Sequence, residues 1–476
     1  MIPVSVDAAA EVLGVTPVGV GESGILITSL ATDSRAVSPG ALFVALRGER
    51  VDGHDFVAAA RASGAVAALV SHQVDDGLSL VLPDPLQALG ALARDQVDRG
   101  RTAGMRVLAV TGSQGKTSTK DLLAQLLEPQ GATISPVGNL NNEIGVPLTV
   151  GRIEPNTRFL VLEMGARDVG HIAYLCRIAP PDVSVVLNVG VAHVGEFGGR
   201  AAIAQAKGEL VEALAEGGVA VLNADDPLVW AMRDRTSARV VAMGISTEPA
   251  WESGVWASDL ASDALGRFRF VLNCKISGKT QRQVEVQLRL SGRHHVGNSV
   301  AAAAAALAVG APLEAIVTAL SSAQPRSRWR MELCRRSDGV LVINDTYNAN
   351  PDSMRAAIDT LADLGNARNG GRTWAVLGDM LELGATSEAE HAALGRHVAA
   401  RGVSYLIALG EHARVVTAAA IAAGLPADRA AVFQDKSAAV DEVLEGLAPA
   451  DVVLIKASRG LALDTVADQI LSRHRA

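Results

Sequence analysis

The chain has 476 residues, more than one ordinary hydrophobic core accommodates, so two or three domains are expected. Its 49% hydrophobic and 20% charged residues supply packed cores and exclude a disordered chain. A formal charge of -8 offers no basic face for nucleic acid, so a polyanionic ligand has to be met by local nests of backbone N–H, Lys and Arg.

The opening MIPVSVDAAAEVLG has no basic segment and carries Asp7 and Glu11, unlike a secretory signal. Residues 1–104 mix short apolar strands with turn signals, as in ATDSRAVSPGALFVALRGERVDGHDF, before an alanine-rich helix and the run GAVAALV. This reads as a small α/β module, ended where glycine and arginine interrupt the pattern in DRGRTAGMR.

Residues 105–323 follow a regular scheme in which the apolar runs VLAV, FLVLEM, VSVVLNV, GVAVLNA and ARVVAMG alternate with helical segments. Such runs predict a mostly parallel sheet covered on both faces. The alternation in FRFVLNC and QVEVQLRL predicts an antiparallel hairpin or small side sheet. The alanine-rich stretch Val300 to Leu313 contains Gly310 and Pro312 and falls short of the ~20 residues of a membrane span, so it reads as a buried helix and no membrane insertion is expected. A second break falls in SSAQPRSRWR. Residues 324–476 again alternate strands (VLVIND, TWAVLGD, YLIALG, DVVLIKAS) with helices, and polar residues recur just past strand ends, where open sheets present ligand sites. Cys176, Cys274 and Cys334 stand apart without a CxxC pair, which argues against a disulfide framework or zinc site and fits a reducing cytoplasm.

The chemistry begins with VTGSQGKTSTK. An apolar run leads into Gly112, Ser113, Gln114, Gly115, Lys116, Thr117 and Ser118, followed by a helical segment. Glycines let backbone N–H groups curve round phosphate oxygens, Lys116 neutralises charge and Thr117 can ligate magnesium. Val110 stands where the GxxxxGK[ST] pattern has glycine, so a plain glycine-rich turn with a solvated lysine is the competing reading. Glu163, at the end of FLVLEM, could serve the metal or simply be an exposed strand terminus. His193 follows another buried strand, and a single histidine is more often structural than a ligand. Lys207, in AQAKGELVEAL, is by itself most simply a solvated helix lysine.

Taken together and in order, VTGSQGKTSTK, GNLNNEIGVPLT, LEMGAR, NVGVAHVGEFG, AKGE, VLNADDP, NDTYNANPDSM, LGDMLELG and IKASRG resemble the Mur ligase family over nearly the whole chain. The shortened loop TGSxGKTS is that family's own form, which accounts for Val110. NDTYNANPDSM, LGDMLELG and the KxSR tail are similar to the branch that joins D-alanyl-D-alanine to UDP-N-acetylmuramoyl-tripeptide. Ala457 departs from the family's usual KGSR, and GLALDT from its usual Met-Glu ending.

The resemblance implies ATP-dependent amide formation through an acyl phosphate, in three α/β domains. Residues 1–104 would bind the UDP substrate, residues 105–323 would form a P-loop ATPase-like, mostly parallel sheet that binds ATP, and residues 324–476 a Rossmann-like domain for the incoming dipeptide. It further implies that the loop residues Gly112 to Ser118, with Asn298, Arg330 and Asp345, contact ATP. Of two Mg2+ ions, one would be served by Thr117 and Glu163 and the second by His193. Lys207 would be carbamylated and would join Lys116 and His193 as the catalytic set. Ser34 and Arg35 would meet the uridine diphosphate end and Asn142 the muramoyl peptide. Tyr347, Asn348 and Asn350 would lie between ATP and the incoming amine, and Lys456, Ser458 and Arg459 would hold the dipeptide carboxylate. A cytoplasmic monomer whose partners are small molecules is expected. The alternatives are another ligase of the superfamily, adding the third-position amino acid or glutamates to a folate, or a non-catalytic nucleotide-binding regulator.

Overall fold

The computed structural model describes residues 1–476 except 23, 49, 76, 191–198, 246–252, 276–280, 369 and 474–476. Three α/β units follow one another along the chain. In the first, β1 (Val4–Ser5) and β2 (Leu26–Ile27) form an antiparallel pair. Beside it β3 (Ser29–Ala31), β4 (Ala41–Val44), β5 (Ala65–Val70) and β6 (Ser79–Val81) make a parallel sheet in chain order. Helix α1 (Pro85–Thr102) closes the unit. Its start is fixed by chemistry at the turn: the Asp84 carboxylate accepts the N–H groups of Leu86 and Gln87, and Pro85 lacks the donor that the first helical position leaves unused.

The central sheet is built on β7 (Arg106–Thr111), β8 (Thr133–Ile134), β9 (Phe159–Glu163), β10 (Val183–Val186), β11 (Val219–Asn223) and β12 (Arg239–Gly244), all parallel where they pair. Except at the edge strand β8 and the first residues of β7 and β12, their side chains are buried on both faces, which is why the runs are continuously apolar instead of alternating. Strands β13 (Gly254–Ser262), β14 (Arg267–Lys275) and β15 (Arg282–Ser291) are antiparallel to one another, as the alternation predicts. They do not form a separate side sheet. The first three residues of β13 pair in parallel with the end of β12, giving a single sheet in the order β15-β14-β13-β12-β11-β10-β7-β9-β8 among the described residues. The helices that matter for the site are α2 (Lys116–Leu127), α3 (Gly145–Val150), α4 (Arg200–Glu212) and the alanine-rich α5 (His294–Ala308), which is buried against α2 and the strands as expected.

The third unit orders β16 (Glu332–Arg335), β17 (Leu341–Asn344), β18 (Thr373–Leu377), β19 (Tyr405–Leu409), β20 (Ala430–Phe433) and β21 (Val452–Lys456) as β16-β17-β21-β18-β19-β20. All pair in parallel except β16. Helices α6 (Pro351–Asn366), α7 (Ser387–Ala400) and α8 (Ala413–Ala422) pack on it. The carboxyl ends of β7, β9 and β10 in the second unit, and of β17, β18 and β21 in the third, deliver their next residues to the same region. Among the described residues no helix is long and apolar enough to cross a membrane.

Candidate active site

A cavity of about 1300 Å³ lies where the three units meet. The first unit contributes Asp84, Leu86 and Gln87, the second the loop 112–118, and the third Arg330, Asp345, Tyr347 and Lys456.

The glycine-rich loop is set by its neighbours. Gly115 has φ +81, and a Cβ there would stand 2.7 Å from Asn298 Oδ1, so only glycine lets α5 approach the loop this closely. Asn188, just past β10, braces the loop by accepting the Gln114 N–H on Oδ1 at 3.0 Å and the Ser113 N–H on its carbonyl at 3.1 Å. Lys116 donates to the Gly112 carbonyl at 2.7 Å. Burial pushes its pKa down, Glu163 acts in the opposite sense, and Arg330 lowers it further.

Glu163 is 1% exposed, which removes the reading as a surface strand end. It accepts the Thr117 hydroxyl at 2.7 Å and the Asn141 amide at 2.7 Å. Lys207 is 5% exposed and lines the cavity, which removes the reading as a solvated helix lysine. Its pKa is pushed down to about 7, first by burial and then by the charge of Lys116. His193 lies outside the described residues, so the structure does not speak to it.

On the opposite wall, Lys456 at the end of β21 is 2% exposed and donates to Asp345 Oδ2 at 2.6 Å and to the Asn348 carbonyl at 2.9 Å. Asp345 Oδ1 also accepts the Met331 N–H at 3.1 Å. The Arg330 guanidinium lies 4.0 Å from the Tyr347 ring centroid. Asn350 starts α6 with a capping box, exchanging hydrogen bonds with Ser353, while Asn142, two residues before the N-cap of α3, accepts the N–H groups of Ile144 and Gly145 on Oδ1. Both asparagines border the cavity while holding backbone.

Four of the residues expected to meet substrates do not line this cavity. Ser34 and Arg35 do not line the cavity, and Arg35 is engaged at 2.7 Å by Asp33, two residues away. Ser458 is buried, accepting the Leu381 N–H at 2.9 Å, and Arg459 lies over the Trp329 ring while paired with Asp464. Neither lines the cavity. Of the KxSR tail only Lys456 does so, because the strand ends at Lys456 and the chain then turns into a short 3-10 helix over Arg459–Leu461, with Ser458 at its start.

One group was missed by the sequence. A second cavity of about 240 Å³ shares Ser118, Arg330 and Met331 with the first and contains His295. His295 Nδ1, Asn298 Nδ2 and Arg330 Nε are buried with no hydrogen-bond partner among the described residues. Burial holds His295 neutral, well below the usual histidine range. The only sequence signal was its i, i+3 spacing to Asn298 on one helix face.

Comparison with known proteins now bears on this geometry. Residues 26–96 match the Mur ligase family catalytic domain, residues 110–306 the Mur ligase middle domain, and residues 329–459 the Mur ligase glutamate ligase domain. The UDP-N-acetylmuramoyl-tripeptide--D-alanyl-D-alanine ligase of Mycobacterium bovis is 41% identical, with 99% of this chain and 98% of that protein aligned. The chain belongs to the Mur ligase family. The ligase of the same description from Escherichia coli is 36% identical over 98% of both chains. Among solved structures, MurF from Acinetobacter baumannii superposes with a TM-score of 0.86 at 32% identity, covering 99% of both chains. MurF ligase from Thermotoga maritima in complex with ADP superposes at 0.79 and 28% identity, covering 93% of this chain and 97% of that one. This Mur ligase therefore shares its relatives' full three-unit α/β layout, with its polar strand-end residues gathered about one cavity.

Proposed function

We infer that this chain joins D-alanyl-D-alanine to the terminal carboxylate of UDP-N-acetylmuramoyl-tripeptide with cleavage of ATP, a step of peptidoglycan precursor synthesis. The observation that carries the reading is that Lys116 of the second unit and the Asp345–Lys456 pair of the third line one cavity, so one site can activate an acid and receive an amine.

A carboxylate resists attack by an amine because oxide is a poor leaving group. In the first step an acceptor carboxylate oxygen attacks the γ-phosphorus, the bond to the β,γ-bridging oxygen breaks, and ADP leaves. In the second the dipeptide amine, having lost a proton, attacks the acyl carbon, and the carbon–oxygen bond to phosphate breaks. Positioning and charge neutralisation dominate such reactions. The loop 112–118 would cradle the phosphates, with Lys116 set against the β- and γ-groups. The smaller cavity would take the adenine, where His295 and Arg330 offer unused polar atoms on a largely buried surface, with Asn298 doing so from the adjoining larger cavity. Asn142 borders the acceptor's path, and Tyr347, Asn348, Asn350 and Lys456 the dipeptide's.

Magnesium fits the Thr117–Glu163 pair, a buried hydroxyl and carboxylate 2.7 Å apart that make a hard all-oxygen donor set beside the phosphate loop. When bound there it would offset charge on the triphosphate. Lys207 is the proposed carbamate. Its neutral amine would attack carbon dioxide, form an N–C bond and release a proton to solvent, turning a cation among phosphates into an anion able to serve a second magnesium with His193. Because one chain supplies every wall of the cavity, a monomer suffices. The cysteines are unpaired, consistent with work in the cytoplasm.

The test is phosphate release that requires both the UDP-tripeptide and D-alanyl-D-alanine. Release with single amino acids or folate substrates would instead indicate another ligase of the superfamily, and release independent of both would sink the reading.

A further inference from the structure

Among the described residues Asp379, His391 and His412 bring ligand-type atoms within 4.8 Å of one another. Their hydrogen bonds argue against a metal there. His391 Nδ1 lies 2.7 Å from the Ser387 carbonyl and Nε2 accepts the Met380 N–H at 3.0 Å. A carbonyl can only accept and an amide N–H only donate, so the ring is neutral with its proton on Nδ1, and no lone pair is left over. The Asp379 carboxylate is likewise committed to the N–H groups of Glu411 at 2.7 Å and His412 at 3.0 Å.

What this network holds is the loop from Asp379 to Gly384. Met380 N–H goes to His391, Leu381 N–H goes to Ser458 Oγ, and the Asp379 carbonyl accepts the Ser458 N–H at 3.0 Å. Gly410, at φ +108, is required on the far side, because a Cβ there would stand 2.3 Å from Asp379 Oδ2. At the loop's apex Glu382 has φ +64, a conformation an L residue adopts only under restraint. Leu381, Glu382 and Leu383 then line the cavity, as do Asn348 and Asn350, and Ser458 joins the two segments by accepting the Leu381 N–H and donating to the Ala349 carbonyl at 3.4 Å.

We propose that His391 is a positioning residue for the incoming dipeptide: as a neutral acceptor for the Met380 N–H it fixes Leu381–Leu383 as the wall of the dipeptide subsite. The proposal rests on the function inferred above. Protonation would set N–H against N–H and release the loop. The groups facing the ring are His412, stacked at 4.1 Å, Asp379 at 3.9 Å, and Glu390, itself engaged by Arg355 of α6. Burial, with His412 acting in the same sense, outweighs the Ser387 carbonyl and the two carboxylates, so His391 is held below the usual histidine range.

The experiment compares wild type, His391→Phe, which keeps the ring and its stacking, and His391→Gln, whose amide oxygen can accept. His391→Phe raises KM for D-alanyl-D-alanine about tenfold, the effect of one buried hydrogen bond, with KM for ATP and UDP-tripeptide within about twofold. His391→Gln recovers most of that loss. In wild type the dipeptide KM climbs as pH falls below the ordinary histidine range, and in His391→Phe that climb is absent. Should His391→Phe not fold, hydrogen exchange of wild type at residues 380–383 is read instead, with protection lost on acidification. Equal increases in all three KM values, a Gln variant as poor as Phe, an unchanged acid dependence in Phe, or protection insensitive to pH would each overturn the proposal. If wild type does not ligate D-alanyl-D-alanine at all, the inferred function fails first and separately.

Discussion

Stripping carbon dioxide from the buffer is expected to silence the enzyme through Lys207. An amine titrating at about 7 is about three-quarters neutral at pH 7.5, whereas an ordinary lysine is neutral in about one molecule in a thousand, so burial multiplies the reactive form several hundredfold. Lowering the pKa from 10.5 to about 7 also means that the folded protein carries a penalty on the order of 5 kcal/mol for holding this ammonium. The sign follows from proton binding: the unfolded chain binds the proton more tightly, so stability increases as pH rises from about 7 to 10.5, and the penalty is complete below about 7. Carbamylation would remove it. Acceptor-dependent phosphate release in bicarbonate-free buffer should fall about 10- to 100-fold, as when the support of a metal site is lost, and return on adding bicarbonate. Lys207→Met should be inactive with or without bicarbonate, yet more resistant to unfolding at neutral pH than carbon dioxide-free wild type. Labelled bicarbonate should give a carbamate carbon resonance in wild type alone. Full activity without carbon dioxide, together with no such resonance, would refute the reasoning.

Glu163→Gln keeps a partner for the Asn141 amide but removes the carboxylate, so the free magnesium giving half-maximal phosphate release should rise about tenfold or more, with the acceptor's KM unmoved. His295→Leu, in the smaller cavity, should raise KM for ATP about three- to tenfold with kcat nearly unchanged, read from steady-state rates at saturating acceptor and dipeptide. Lys456→Met leaves Asp345 buried and unpaired, which should cost about 3–5 kcal/mol in the third unit's unfolding transition by calorimetry, and the Lys456→Met/Asp345→Leu pair should recover most of it.

The alternation of strand and helix was readable because parallel strands buried on both faces must be apolar throughout, and FLVLEM and VSVVLNV are so. The phosphate loop was readable because few other uses call for glycines and a lysine at a strand-to-helix turn. Burial was not. Glu163 could be read as an exposed strand end, and Lys207 by itself most simply as a solvated helix lysine, until the fold showed each enclosed, since local sequence does not say what covers a residue. Arg35 is held by Asp33 two residues away, a local pairing the sequence did not signal. In the tail, Ser458 and Arg459 follow Lys456 closely, yet the serine turns inward to brace Leu381. Pairings such as His391 with Met380 depend on a loop and a helix meeting in space, and no periodicity announces them.

The second and third units are joined by a linker bound along the phosphate helix. Asp121, Gln125 and Glu128, spaced four and three apart on one face of α2 and its extension, hold Ser327, Gln324 and Arg326 respectively. Lys120, 1% exposed, pairs with the same Asp121 and ties it to the Pro136 carbonyl. Linker residues 324–327 therefore move with the helix that follows the glycine-rich loop 112–118. Immediately beyond, Trp329 and Met331 have φ +63 and +50, and Arg330 between them lines both cavities and lies over Tyr347. Rotation of the third unit has to be taken up at residues 328–331, because the preceding four are tied down. Any such rotation displaces Arg330 relative either to loop 112–118 or to Tyr347, so the position of the dipeptide-bearing wall and the set of groups around the nucleotide cannot change independently.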